Sequence, residues 1–167
     1  MSKRTLGIVA VAALAAAGWL VFRPEKLVVN RKVSEDLPAG RIGHAPPVEL
    51  ARGKFHGVAH ETKGSAVIYG LDDGRRTLRL AGFSTSNGPE VQIYLGEAAD
   101  ARDSETVTQS GFVSLGALKG NVGDQNYEIP ASLDLSRYHS VTIWCHRFGV
   151  NFGTAPLRDA PLPVASK

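Results

Sequence analysis

The strongest constraint on the fold is the spacing of apolar residues between positions 50 and 157. They recur with period two and are interrupted by Gly, Asn, Asp or Pro every eight to twelve residues. A period of two places alternate side chains on opposite faces of an extended chain, and turns at that interval leave room only for short strands. Ser65 to Leu71 is rich in β-forming residues, Asp72-Asp73-Gly74 supplies a turn, and Thr77 to Ala81 alternates around Leu78 and Leu80, so this stretch reads as a hairpin. Further strands are expected at Gly53 to Ala59, Glu90 to Leu95, Phe112 to Leu115, Asn126 to Ile129, Ser140 to Phe148 and Val150 to Phe152. Val91, Ile93 and Leu95 should face inward, Gln92 and Tyr94 outward. A short helix is expected within Gly96 to Asp103. Eight short strands in about 108 residues is the density of an all-β, antiparallel two-sheet sandwich. Such folds carry many unrelated functions, so function has to be argued from particular residues.

Ahead of this region, Thr5 to Phe22 is an eighteen-residue run without a charge, preceded by Lys3 and Arg4 and closed by Arg23 and Pro24. That is about the minimum span for a bilayer, so residues 1–22 read as a single-pass transmembrane signal anchor. A cleavable signal peptide competes, because Ala13-Leu14-Ala15 and Ala15-Ala16-Ala17 both fit a small-x-small cleavage site. Trp19-Leu20-Val21-Phe22 carries the apolar run past both sites, and Trp19 suits the membrane interface. A buried core helix fits less well, since the run is apolar all round. Counting charges alone slightly favours a cytoplasmic domain, whereas a short basic head before an apolar run is the usual shape of an export signal. The domain is therefore expected outside the cytoplasm, in the periplasm or at the cell surface. Residues 23–47 hold four prolines and two glycines among charges and read as a flexible tether reaching at most about 80 Å. Residues 48–157 form the domain, and 158–167 an irregular tail.

The net charge of +3 belongs to the N-terminal arm: residues 1–32 carry six basic groups and one acid, net +5, and the rest of the chain is net −2. A nucleic-acid partner would need a basic face on the folded part, so none is expected. No Gly-x-Ser-x-Gly, Ser-x-x-Lys or His-Glu-x-x-His motif supports hydrolysis, and no phosphate-cradling loop is present. Whether the chain is an enzyme stays open, with redox chemistry the one route left. His44, His56, His60, His139 and His146 show no recognisable ligand spacing, and Asp72 and Asp73 already have a role as a turn, so no metal site is assigned.

Cys145 is the single cysteine, which rules out an intramolecular disulfide. Strict alternation in Val141-Thr142-Ile143-Trp144-Cys145-His146 puts Val141, Ile143 and Cys145 on one face and Trp144 and His146 on the other. One reading makes Cys145 a small apolar residue of the core. The other makes it a redox thiol or a thiolate ligand, for which His146 and Arg147 are the nearest cationic neighbours in sequence. A bulge after Cys145 would be needed to bring His146 to the same side. Noncovalent haem held by a Cys thiolate or a His is chemically allowed, though nothing in the sequence requires it.

Leu115 to Pro130, LGALKGNVGDQNYEIP, and Val141 to Leu157, VTIWCHRFGVNFGTAPL, resemble the closing half of the DM13 domain. Gly53-Lys54-Phe55-His56, the hairpin, and Phe83 to Pro89 with the strand after it are similar to its opening half. The resemblance covers roughly Val48 to Leu157, with the Asn-Gly-Pro turn, the Leu-Lys-Gly-Asn run, Asn-Tyr-x-Ile-Pro and Trp-Cys in the family's order. It implies an all-β module of membrane-linked or cell-surface proteins, proposed to act in electron transfer. The group it implies is the cysteine after the tryptophan, here Cys145, working as a bare thiol or by binding a prosthetic group such as haem; from its place next in the sequence, His146 is the candidate second cofactor contact. Animal relatives often carry the module beside other redox domains, so the electron partner here is expected to be another protein. A binding or scaffold module of the cell envelope, contacting its partner through loops such as Phe83 to Pro89 and Gly116 to Gln125 with Cys145 buried, is the competing reading.

Overall fold

The computed structural model describes residues 2–22, 29–38 and 45–160. Its strands are β1 (Lys32–Ser34), β2 (Val48–Lys54), β3 (His56–Gly57), β4 (Lys63–Gly70), β5 (Arg76–Ser84), β6 (Val91–Gly96), β7 (Phe112–Ala117), β8 (Val122–Ile129), β9 (Ser140–Cys145), β10 (Val150–Pro156) and β11 (Arg158–Asp159). They form a six-stranded sheet, β1-β8-β5-β4-β2-β11, and a five-stranded sheet, β3-β10-β9-β6-β7. This is the expected two-sheet sandwich. All pairings are antiparallel except that of β1 with β8, which is parallel. Leu78, Leu80 and Tyr127 from one sheet and Ile93, Leu95 and Ile143 from the other belong to one core cluster. Burying each such aliphatic side chain stabilises the fold by about 1.5–3 kcal/mol.

Four expectations change in detail. The strand read from Gly53 to Ala59 is two strands, because the chain leaves the six-stranded sheet at Lys54 and enters the other at His56. Phe55 marks the crossing, buried and edge-on to Phe83 at 5.4 Å. The strand read from Ser140 to Phe148 stops at Cys145, and the exposed residues 146–149 turn back into β10 with Gly149 at φ 61°. The bulge after Cys145 that would bring His146 to its side is not where the register shifts: the irregularity lies in β10, between Asn151 and Gly153. The helix α2 occupies Ser104–Gln109, after the expected Gly96 to Asp103, because Asp103 is its cap: the carboxylate accepts the Thr106 N–H at 2.6 Å.

The N-terminal helix α1 spans Lys3–Phe22 and exposes Leu6, Ile8, Val9, Val11 and Leu14. Among the described residues no helix is long and apolar enough to cross a membrane, so the fold does not establish the spanning segment read from the sequence. The Trp19 side chain, read there as an interfacial anchor, lies outside the described residues.

The tether reading needs a correction in its middle. Of residues 23–47, those at 23–28 and 39–44 lie outside the described residues, but Lys32–Ser34 is a strand docked on β8. Gly123 makes this contact feasible: its φ is +103°, and a Cβ there would collide with the Val33 carbonyl oxygen. Glu35 fastens the end of β1, accepting hydrogen bonds from the Asn126 backbone N–H at 2.8 Å and from Lys119 Nζ at 2.9 and 3.0 Å. Arg79 donates to the Glu35 carbonyl at 3.0 Å and pairs with Asp124 at 2.6 Å. In the tail, Arg158 and Asp159 pair with β2, and residues 161–167 lie outside the described residues.

Candidate functional site

The site is built on β9, whose neighbours β6 and β10 cover both of its edges. All six residues of β9 are buried, so this strand is enclosed on both faces. Alternation sends Val141, Ile143 and Cys145 into the main core, opposite Leu95, Ile93 and Val91 of β6. Cys145 has 0% of its surface exposed and is a free thiol. Val91 stands across from it on one side and Val150 on the other.

The opposite face carries Thr142 and Trp144, with Tyr94 beside them on β6. These pack under residues 97–111, where Tyr94, Trp144, Ala101 and Val107 make a second, smaller apolar cluster. Asn151 fastens this cover: its side-chain amide donates to the Ala101 carbonyl at 2.9 Å and to Thr154 Oγ1 at 3.0 Å, and its backbone N–H donates to Ser104 Oγ at 3.0 Å. Thr142 and Thr154 share a buried hydrogen bond of 3.2 Å.

Tyr94 is the centre of this outer cluster. Phe112 from β7 stacks on it at 4.3 Å with an interplanar angle of 6°, and Trp144 from β9 lies at 6.1 Å and 25°. The flanking strands thus lend one ring each. The Tyr94 hydroxyl meets His146 Nδ1 at 3.4 Å. Burial, helped by the negative charge of Glu90, pushes the phenol above its ordinary pKa.

Cys145 and His146 are therefore not brought together. The thiol points into the core, whereas the His146 ring stands in the exposed turn and reaches the outer-face residue Tyr94. A prosthetic group ligated by Cys145 would have to displace Val91 and Val150, and the residues present do not fit a haem held jointly by Cys145 and His146. Among the described residues no group of three or more His, Cys, Asp or Glu gathers to hold a metal ion. His56 pairs instead with Asp100 at 2.7 Å, and Asp73 binds the Arg75 backbone and guanidinium as part of its turn.

The two loops singled out for recognition meet at one cleft of about 440 Å³, walled by residues 86–92 and 117–121 with Val29 and Arg31. Asn121 ties them together, its side chain donating to the Thr85 carbonyl at 3.1 Å and accepting the Arg31 N–H at 2.8 Å. Val91 lines the cleft and stands between it and Cys145.

Tyr94 and Phe112 were not candidates in the sequence. The usable signal was an outward-facing aromatic on one strand and a second, Trp144, on another, but the sequence holds no record that the two strands are neighbours.

No curated protein and no solved structure matches the chain. The family model described as Electron transfer DM13 matches residues 54–157, which takes in every strand from β3 to β10, the Tyr94 cluster and Cys145. That match covers more than half of the sequence, and the chain belongs to the DM13 family.

Proposed function

We propose that this is a membrane-anchored, extracytoplasmic electron-transfer module in which Cys145 is the redox residue and the electron partner is a separate protein. One observation carries the assignment of the thiol: the chain's single cysteine follows Trp144 on the enclosed strand, so a core thiol and an outer aromatic cluster share one stretch of backbone. Cys145 has no exposed surface, so no second reactant can approach the sulfur and group transfer there is closed. The full chain in detergent, examined by voltammetry as wild type and as Cys145→Ala, tests this. A redox wave lost in the variant supports the assignment, and a wave retained unchanged overturns it. The helix α1, with Leu6, Ile8, Val9, Val11 and Leu14 exposed, supports the anchor. Membranes carrying the full chain should retain it through alkaline carbonate extraction, and an external protease should degrade it; release by carbonate, or protection from the protease, would overturn anchor or location.

A second reading, favoured by the cleft between residues 86–92 and 117–121, is a binding module in which Cys145 is core packing. Partner capture unchanged by Cys145→Ser, together with a retained or absent redox wave, would place this reading ahead.

A further inference from the structure

We infer that Tyr94 is a second redox residue of this domain, oxidised by one electron at the outer face of the five-stranded sheet, with His146 as the acceptor of its proton. The inference deepens the electron-transfer reading and rests on it for biological purpose, but its chemistry does not involve Cys145.

Three features of the phenol point this way. It is 3% exposed, so water does not quench a radical formed there. Its ring is stacked on Phe112, which is 45% exposed and offers an oxidant an aromatic contact at the surface. Its hydroxyl faces an imidazole nitrogen at 3.4 Å, and a neutral imidazole with its proton on Nε2 has a lone pair on Nδ1 to receive a hydrogen bond and then the proton. The third feature decides it, since a phenol that loses an electron becomes a strong acid and needs a base in contact.

Tyr127 shows what the absence of such a base looks like. It is also buried, and its hydroxyl donates to Gln125 Oε1 at 2.8 Å and accepts the Lys119 backbone N–H at 3.0 Å. Both partners are amides, and neither takes a proton.

The step balances as follows. A one-electron, metal-centred oxidant takes one electron from Tyr94; the O–H bond breaks, an N–H bond forms at His146 Nδ1, and the products are the neutral tyrosyl radical, the imidazolium and the oxidant reduced by one electron. Return of one electron and the same proton restores the phenol.

The test uses the full chain and photogenerated ruthenium(III) tris-bipyridine, with freeze-trapped radicals read by electron paramagnetic resonance. Wild type and the Tyr69→Phe/Tyr138→Phe double variant should give the tyrosyl signal, and Tyr94→Phe, which keeps the ring and its stack, should lose it. His146→Gly should lose most of the signal and regain it when imidazole is added, a rescue that a merely structural histidine would not show. Absence of the signal in wild type, or its persistence in Tyr94→Phe, overturns the inference; an unchanged yield in His146→Gly overturns the role of His146. Cys145→Ser should retain the signal. A wild type without the radical but with a Cys145-dependent redox wave removes this inference and leaves the proposed function standing.

Discussion

The outer faces of the two sheets differ sharply. On the six-stranded sheet that face carries Arg79, Asn126 and Glu128, with Arg79 held by Asp124, Asn126 and the Glu35 carbonyl. On the five-stranded sheet it carries Tyr94, Thr142 and Trp144, all buried beneath residues 97–111. One sheet carries a polar, ion-paired outer face, with Val67 and Thr77 buried among its side chains. The other is enclosed on both faces along β9, and it holds the chain's cysteine and its stacked aromatics. A short helix and a loop, fastened by Asn151, are enough to turn an ordinary half-exposed sheet into a shielded one.

The largest test of this contrast uses thiol chemistry. Cys145 should react with a thiol reagent only through unfolding, roughly a thousandfold or more slower than in denaturant, since the folded state is favoured by several kcal/mol. A cysteine placed on the other sheet by Glu128→Cys in a Cys145→Ala background should react at once. Comparable native rates at the two positions would break the contrast. Next in size, Trp144→Ala should cost about 3–5 kcal/mol in urea denaturation, whereas Glu128→Ala should stay within about 0.5 kcal/mol.

Gly123→Ala sharpens the contrast from the side of the six-stranded sheet. It should cost roughly 1 kcal/mol or more by straining a positive φ and expelling β1. Hydrogen exchange would show protection lost at Val33 and Ser34 while Thr142 and Ile143 keep theirs.

The smallest effect is a pH dependence confined to the same edge. Burial works to raise the Glu35 carboxyl, but the hydrogen bonds from Lys119 and Asn126 and the charges of Lys119 and Arg79 outweigh it, and its pKa falls below the ordinary 4.5. A carboxyl depressed in the folded state contributes stability that is present above its unfolded value and is lost as pH falls through the folded one. Protection factors at β1, taken against the intrinsic exchange rate, should therefore fall below about pH 4.5, and Glu35→Gln should abolish that dependence.

Much of this was legible from alternation alone. Val91, Ile93 and Leu95 face the core, Tyr94 turns away from it, and Cys145 lies on the opposite side from Trp144, all as period two requires. Alternation does not register a change of sheet, which is why the crossing at Phe55 was read as continuous strand. Strands of two or three residues, such as β1, β3 and β11, are too short to show a period. The Tyr94 cluster was illegible for another reason. Tyr94, Phe112 and the Trp144–His146 stretch come from three segments, and their meeting depends on β6 pairing with both β7 and β9.

The docking of β1 also sets how densely the domain can meet its partners. For a domain anchored through α1, as proposed above, the link between anchor and fold ends before Asn30 and Arg31, which Asn121 already holds, in place of running through all twenty-five of residues 23–47. Effective concentration falls as a linker lengthens, so this shortening raises it for any partner in the same membrane plane. Gly123, with no side chain, would then govern the rate of encounter from a position that touches no partner.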